Sequence, residues 1–195
     1  AGVGAILGLL FGLPSLRLKG LYLAISTLAL HFIVVFAGSE YETLRDFSTG
    51  ILVPPPEVAG VVLKGGRPWF LAFLAADVAV ILLALNLLRA RTGRAWVAIR
   101  DREVAAEALG IHVPVFKLAA FVVSSLLTAS AGCLFAYYRG FVSSEAFSLF
   151  LSIEYVAMVI IGGLGSILGA VLGAAFVVLF PYVIDALVDI LPVPG

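Results

Sequence analysis

Six long apolar runs dominate this 195-residue chain and limit the folds open to it. About 20 residues of α-helix cross a bilayer hydrocarbon core about 30 Å thick, so runs of this length predict membrane-spanning helices. The predicted spans are residues 1–13, 21–37, 69–88, 118–138, 147–161 and 167–184. We therefore predict an all-α fold, a polytopic transmembrane helical bundle that forms one domain over residues 1–195. Because the first run begins at Ala1, we expect an internal fragment of a longer protein that has further helices.

The composition agrees with a bilayer environment. The chain is 63% hydrophobic and 12% charged, with a mean hydropathy of +1.18, whereas soluble domains are about half apolar and about a quarter charged. Basic and acidic residues number 12 each, so the net charge is zero and gives no reason to expect a nucleic-acid partner. The single cysteine, Cys133, lies in an apolar run and is interpreted as a packing residue, and no cysteine spacing indicates a metal site.

Basic residues are concentrated in one connecting loop, residues 89–117. Half of the 12 basic residues border it: Arg89, Arg91, Arg94, Arg100, Arg102 and Lys117. Because cytoplasmic loops carry an excess of lysine and arginine, this loop is predicted to be cytoplasmic. The short turn with Arg17 and Lys19 falls on the same side. The loop at residues 38–68 then lies on the outer, periplasmic side.

A charged stretch, "RDREVAAEALGIHVP" at residues 100–114, interrupts the apolar sequence inside that cytoplasmic loop. Asp101 and Glu103 suit the positive N-terminal end of a helix, Gly110 suits the position after its last turn, and Pro114 follows as a stop. Val104, Ala108 and Ile111 recur on one face at helical spacing, while Glu103 and Glu107 share another. A helix of about nine residues is not stable alone in water, so it must dock either on its own bundle or on a partner.

The pair Ala105–Ala106 followed by Gly110 resembles the cytoplasmic EAA loop of ABC-transporter permeases. The run "GRAWVAIRDREVAAEALGI" is similar, more narrowly, to permeases of branched-chain amino-acid importers. The likeness extends colinearly through "LRLKGLYLAISTLAL", "TGILVPPP" and "FAYYRGFVSSEAFSLFLSIEYVAMVIIGGLGSILGAVLGAA". Two departures stand out. Val104 occupies a position where the general EAA pattern has Glu, and the further helix and basic tail usual in the family do not follow Pro181.

The resemblance implies an importer permease of the type II-like fold with a cytoplasmic coupling helix. Its expected partners are a second permease subunit, ABC ATP-binding subunits, an external substrate-binding protein and the bilayer. The chain lacks the G-x-x-x-x-G-K-[ST] phosphate loop, so a partner is expected to use ATP and Mg²⁺ while this chain binds no cofactor and catalyses nothing. The residues expected to contact the ATPase are Asp101, Glu103, Ala105, Ala106, Glu107 and Gly110.

Two stripes of glycine at four-residue spacing predict close helix contacts, because small residues let helix backbones approach each other in lipid. These stripes are Gly4, Gly8 and Gly12 in the first run, and Gly165, Gly169 and Gly173 in the last. In "IIGGLGS", Gly162, Gly163 and Gly165 interrupt an apolar run, and such a break predicts a lining position on a substrate path or gate. Asp77 lies in the middle of a span, and the same role is assigned to it; an acid paired with a neighbouring backbone group is the alternative.

Three classes of function stay open at this point. The first is import of hydrophobic, branched-chain amino acids by alternating access in a bacterial or archaeal inner membrane. The second is a related ABC permease for sugars or urea. The third is a membrane-embedded enzyme that holds Mg²⁺ on Asp185 and Asp189, although the chain offers no second carboxylate cluster to complete such a site. We also expect Gly110→Arg to leave the protein folded but to abolish transport.

Overall fold

The structure, a computed structural model, describes residues 2–15, 21–44, 50–54, 56–58, 61–62 and 65–190. The predicted turn carrying Arg17 and Lys19 lies outside this part of the chain, as do Pro55 and residues 191–195. Two compact units divide the chain, residues 1–146 and residues 147–195. The helices are α1 (Gly2–Ser15), α2 (Leu21–Leu44), α3 (Gly66–Arg89), α4 (Arg91–Asp101), α5 (Glu103–Ala108), α6 (Val113–Arg139), α7 (Leu149–Gly162) and α8 (Ile167–Ile190).

The predicted fold class is confirmed. Each predicted span falls on one helix. Among the described residues, three helices are long and apolar enough to cross a membrane: Gly66–Arg89, Val113–Arg139 and Ile167–Val188. Four two-residue strands form the only sheets in the described part of the chain. β1 (Ile51–Leu52) pairs with β4 (Phe141–Val142), and β2 (Glu57–Val58) pairs with β3 (Val61–Val62).

The second helix is longer than the sequence predicts. Its apolar run ends near residue 37, but α2 continues to Leu44 through two polar turns. The Ser39 hydroxyl donates to Phe36 O at 2.8 Å, and the Thr43 hydroxyl donates to Ser39 O at 2.9 Å. These side chains donate to carbonyls of the preceding turn, so they compete little with the backbone hydrogen bonds of the helix. A hydropathy boundary therefore underestimates the length of this helix.

Helix α6 organises the first unit, and α1 packs along it through the first glycine stripe. A methyl group built on Gly4 would overlap the Cβ of Ala129, and one on Gly8 would lie 2.5 Å from Ser125 Oγ. One on Gly12 would lie 2.8 Å from Leu118 Cδ1. The contacts run backwards along α6 as α1 advances, so the two helices are antiparallel. The stripe serves helix packing, as its spacing predicts.

The C-terminal end of α6 carries the β1–β4 sheet. Val53 N–H donates to Gly140 O at 3.0 Å, directly beside the strand pairs. Gly140 ends α6 in the left-handed conformation at φ +66°, which glycine adopts without steric cost. On the same end, Tyr138 makes edge contacts with Trp69 and Phe73 of α3, with ring centroids 5.7 and 5.4 Å apart.

The end of α1 and helix α4 lie near the opposite, N-terminal end of α6. Gly12 approaches Leu118 there, and α4 connects α3 to this region. Among the described residues, α4 and α5 therefore lie near this end of α6, and the β1–β4 sheet lies at the other. A helix of 27 residues is roughly 40 Å long, so these ends are far enough apart to lie on two sides of a bilayer. Which side is cytoplasmic stays a prediction.

The second unit is a hairpin of α7 and α8. A methyl group on Gly169 would overlap Gly162 O, and one on Gly173 would overlap Met158 O. The backbones of the two helices therefore pack directly against each other at these glycines, with no side chain between them. Within this unit, Met158 is 7% exposed and Gly169 and Gly173 are buried.

Candidate functional site: the charged segment between α3 and α6

The charged segment, residues 90–112, forms two helices that lie against the first turns of α6. Helix α4 contacts α3, α5 and α6, and α5 contacts α4 and α6. The sequence predicts one helix near this point, whereas the structure has two. Their contacts with α6 decide which of the predicted residues face outward.

Helix α4 is fixed at its start and in its middle. Gly93 is buried against α3, since a methyl group there would overlap backbone atoms of Leu87 and Leu88. Further along, the indole Nε1–H of Trp96 donates to Phe116 O at 2.7 Å. That carbonyl belongs to the first turns of α6, so an uncharged hydrogen bond joins the two helices. Ala95, at 8% exposed, completes the packed side of α4.

The predicted position of Asp101 is wrong. We expected it in the first turn of the docking helix, but it is the last residue of α4, and Arg102 then adopts extended backbone at φ −154° and ψ 104°. A carboxylate at a helix C-terminus is electrostatically unfavourable, and Arg100 offsets this at 3.8 Å. We attribute the break to tertiary contacts, because α4 and α5 are each held by α6 and Arg102 allows them separate directions.

Helix α5 begins at Glu103, two residues later than the predicted start at Asp101, and the Glu103 carboxylate turns inward. Lys117 Nζ lies 2.7 Å from Glu103 Oε1, and the two side chains are 34% and 36% exposed. Ala106 is 1% exposed and Val113 2% exposed, so the side of α5 that bears Glu103 and Ala106 packs within the chain. The predicted apolar face of Val104 and Ala108 is therefore not the packed one. A residue pattern at helical spacing identifies a face but does not say which neighbour covers it.

Helix α5 ends in a Schellman motif. Ile111 N–H donates to Ala106 O at 3.1 Å, and Gly110 N–H donates to Glu107 O at 2.9 Å. Gly110 has φ +81°, and a methyl group built on it would meet nothing within 4 Å. It occupies the C′ position that the sequence predicts. Pro114, which we expected only as a stop, is the second residue of α6, where its fixed φ favours helix initiation.

The outward side of α5 carries two large apolar side chains. Val104 is 80% exposed and Leu109 is 79% exposed. Ala105, Glu107 and Gly110 are exposed beside them. We call Val104, Ala105, Glu107, Leu109 and Gly110 the docking face. Sequence reasoning missed Leu109, although a large apolar residue directly before a C′ glycine was the available signal.

The residues assigned to a substrate path lie in both units and are described within each. In the first unit, Asp77 lies near the middle of α3 and is exposed on the surface of the chain. In the second, Gly162 is the last residue of α7, and the turn that follows contains Gly163 at φ +100° and Gly165 at φ +86°. Gly165 thus lies in the turn, before the α8 contacts of Gly169 and Gly173.

That turn leads directly into α8. Gly169 N–H donates to Ser166 Oγ at 3.0 Å, so Ser166 is the N-cap of α8. The cap and the two positive φ angles make a defined break between two apolar helices. This break is the turn of the α7–α8 hairpin.

Within the described residues, no group of three or more His, Cys, Asp or Glu side chains is arranged to hold a metal ion. Asp185 lies in α8, and the side chain of Asp189 falls outside the described part of the chain. The geometry therefore adds nothing to the enzyme alternative.

The fold and the charged segment define a helical membrane protein in which long apolar helices are joined by a short charged helix held against them. Residues 1–192 match the family described as "Branched-chain amino acid transport system / permease component", and the chain belongs to this family. The family predicted from the sequence is thus confirmed.

Three relatives illustrate the match. The chain is 35% identical over 200 residues to the high-affinity branched-chain amino acid transport system permease protein LivM of Salmonella typhimurium, covering 90% of this chain and 47% of the relative. It is 27% identical to the probable branched-chain amino acid transport permease protein LivM of Methanocaldococcus jannaschii, covering 96% and 54%. It is 29% identical to the autoinducer 2 import system permease protein LsrC of an Enterobacter species, covering 89% and 51%.

The chain spans about half the length of the curated relatives it matches. These relatives carry the names of transport permeases and not of enzymes. No solved structure matches the chain significantly.

Proposed function

We propose that the chain is part of a permease subunit of an ATP-driven importer that moves branched-chain, hydrophobic amino acids into the cytoplasm by alternating access. The protein would be a multi-pass component of a bacterial or archaeal cytoplasmic membrane. Family membership over residues 1–192 supports the transport role, and the names of the LivM relatives support the substrate class. The observation that carries the proposal is the docking face, an exposed apolar surface on a helix held by α6.

The chemistry of the docking face fits a protein partner. Burying a valine or leucine side chain contributes about 1.5–3 kcal/mol, and Val104 and Leu109 are largely uncovered. Ala105 and Gly110 allow close approach between them, and Glu107 adds one carboxylate that a basic group on the partner would meet. We assign this partner as the ATP-binding subunit, which would bind ATP and Mg²⁺ while this chain binds no cofactor.

The six proposed coupling residues then divide by position. Ala105, Glu107 and Gly110 would contact the ATPase, and Asp101 would flank that contact from the end of α4. Ala106 is buried and serves the seating of α5 on its own chain. Glu103 is addressed below.

For the translocation path, we retain Asp77 and the break at Gly162, Gly163 and Gly165. Support comes from the position of Asp77 inside an apolar helix and from the positive φ angles that interrupt α7 and α8. An ionisable group inside an apolar helix and a glycine-rich break between apolar helices are features that membrane transporters use. A second permease subunit and an external substrate-binding protein complete the proposed assembly.

The test is uptake of labelled leucine by liposomes that contain the full-length permease, its partner permease and the ATP-binding subunits. Binding protein is added outside and ATP is enclosed. ATP-dependent leucine accumulation that isoleucine and valine compete for is the expected result. The LsrC relative favours a second candidate, import of another small solute. ATP hydrolysis stimulated by the binding protein without leucine uptake would overturn the substrate class and make that candidate, with sugars and urea, the next to assay.

Gly110 gives a sharper test of the docking face. A side chain at φ +81° costs about 1–2 kcal/mol, and asparagine tolerates this conformation better than other residues. Space for a Cβ is open in the chain itself, so Gly110→Arg should fold yet project a long cation from the docking face. We expect Gly110→Arg to lose leucine uptake at normal membrane levels, while Gly110→Asn retains most of it. Normal uptake by the arginine variant would contradict the docking role.

A further inference from the structure

We propose that α6 is the membrane helix that receives the movement of α5, and that Glu103, Lys117 and Trp96 are positioning residues that transmit it. This inference rests on the proposed function, since it needs a partner that moves α5. It assigns Glu103 a role inside the chain in place of the ATPase contact expected from the sequence.

The covalent connection between α5 and α6 is short, and it joins the two helices only through their ends, Ala108 and Val113. Gly110 has φ +81° and open space around it, and Ile111 and His112 follow in non-helical backbone. A link at the helix ends alone would let α5 tilt against α6 when the docking face is pushed. A second tie is therefore needed for displacement to reach the membrane helix.

The ion pair of Glu103 and Lys117 provides that tie. Nζ and Oε1 are 2.7 Å apart, and each side chain is only about one-third exposed, at 36% and 34%. A charge-assisted hydrogen bond is shorter and stronger than a neutral one, and partial exclusion of water strengthens it further. Because Ala106, three residues after Glu103, is buried as well, α5 is held along its inner side.

A second link enters α6 one residue away. Trp96 Nε1–H donates to Phe116 O at 2.7 Å, and Phe116 directly precedes Lys117. Helices α4 and α5 thus bind the same turn of α6, α4 through a neutral hydrogen bond and α5 through an ion pair. The two bonds start on opposite sides of the extended residue Arg102, one in α4 and one in α5. A change in the angle between α4 and α5 must therefore strain or move the turn of α6 that makes both bonds.

Charge-reversal variants test the link in the assembled transporter. The full-length permease, its partner permease and the ATP-binding subunits are placed in nanodiscs. Amide hydrogen exchange over residues 115–121 is measured with and without a non-hydrolysable ATP analogue. In the wild type we expect the analogue to change exchange at least about fivefold, the lower end of typical coupling between sites. Glu103→Lys and Lys117→Glu should each abolish the change, and the double reversal should restore it.

Two further variants make the result specific. Arg100→Gln removes a charge from an ion pair that stays within α4, and it should respond like the wild type. Trp96→Phe keeps an aromatic ring but removes the donor to Phe116, and it should weaken the response. If the charge-reversal variants do not assemble, Glu103→Gln and Trp96→Phe take their place, and the exchange response to the ATP analogue is again what is measured. A purely structural role would lower the amount of assembled complex but leave the exchange response of the complex that assembles as in the wild type.

Three outcomes overturn the inference: no nucleotide-dependent change in α6 of the wild type, normal responses in the single variants, or a double reversal as defective as its parents. Leucine uptake measured in parallel separates this inference from the proposed function. An exchange response in α6 without leucine uptake refutes the substrate assignment and supports the link. Leucine uptake without an exchange response refutes the link alone.

Discussion

Substituting Gly173 with alanine should open the α7–α8 hairpin. A methyl group on Gly173 would overlap Met158 O and would lie 2.8 Å from Gly162 N and 2.9 Å from Gly162 Cα. All three obstacles are backbone atoms, so no side-chain rotation relieves them. To clear Met158 O and restore ordinary contact at about 3.5–4.0 Å, α8 must retreat by more than about 1 Å, which forfeits about half or more of the attraction in each contact along the seam.

The magnitude follows from two opposed effects. Overpacking a close contact costs about 1–3 kcal/mol, whereas replacing glycine by alanine inside a helix gains up to about 1 kcal/mol. The expected net loss is about 1–2 kcal/mol in the free energy of unfolding. The assay is SDS-titrated unfolding of the full-length protein in mixed micelles.

Gly132 is the matched control for this experiment. It lies inside α6 at ordinary helical φ, and a methyl group there would meet nothing within 4 Å. Gly132→Ala should therefore be neutral or stabilising by up to about 1 kcal/mol. The reasoning is refuted if Gly173→Ala is as stable as Gly132→Ala, because the overlap would then carry no free-energy cost.

Two more predictions concern the C-terminal end of α6. Glu42 Oε1 accepts from Ser144 N–H at 3.0 Å and from Ser144 Oγ–H at 2.9 Å, so Ser144→Ala should lower the free energy of unfolding by about 1 kcal/mol; an unchanged value in the same SDS titration would contradict a stabilising role for the hydroxyl. Gly50 has φ +105°, and a methyl group on it would lie 2.6 Å from Val142 O, so Gly50→Ala should weaken the β1–β4 pair by about 1–3 kcal/mol. Faster hydrogen exchange at the Val53 amide is the readout, and exchange as slow as in the wild type would mean that the sheet tolerates the change.

Hydropathy was sufficient to predict the long apolar helices because the bilayer acts on the sum of many side chains. Helix ends depend on single groups instead. Helix α2 continues past its apolar run to Leu44, with Ser39 and Thr43 bonded to carbonyls of the preceding turn, and hydropathy does not predict such local contacts. The glycine stripe of α1 was predicted correctly because its spacing leaves one reading, close approach of a neighbour, although the sequence does not identify that neighbour as α6.

The charged segment was predicted less well for a related reason. Glycine at C′ is a local requirement, so the position of Gly110 follows from the sequence alone. The break at Arg102 and the inward orientation of Glu103 depend on Phe116 and Lys117, which belong to another helix. Residue spacing predicts an apolar face on α5 that includes Val104. Tertiary contacts bury the other side of α5, so Val104 is exposed.

The pairing of α1 with α6 has a consequence for the order of events during synthesis. Residues 16–112 separate the two helices, and at roughly 5–20 residues per second this stretch of roughly 100 residues takes roughly 5–20 s to make. Until α6 enters the bilayer, the glycine face of α1 has no α6 to pack against. The α7–α8 hairpin, in contrast, needs only the short turn at Gly163–Ser166 and can close as α8 leaves the ribosome. A substitution in α1 would thus act on a nascent chain for several seconds before its native contact exists.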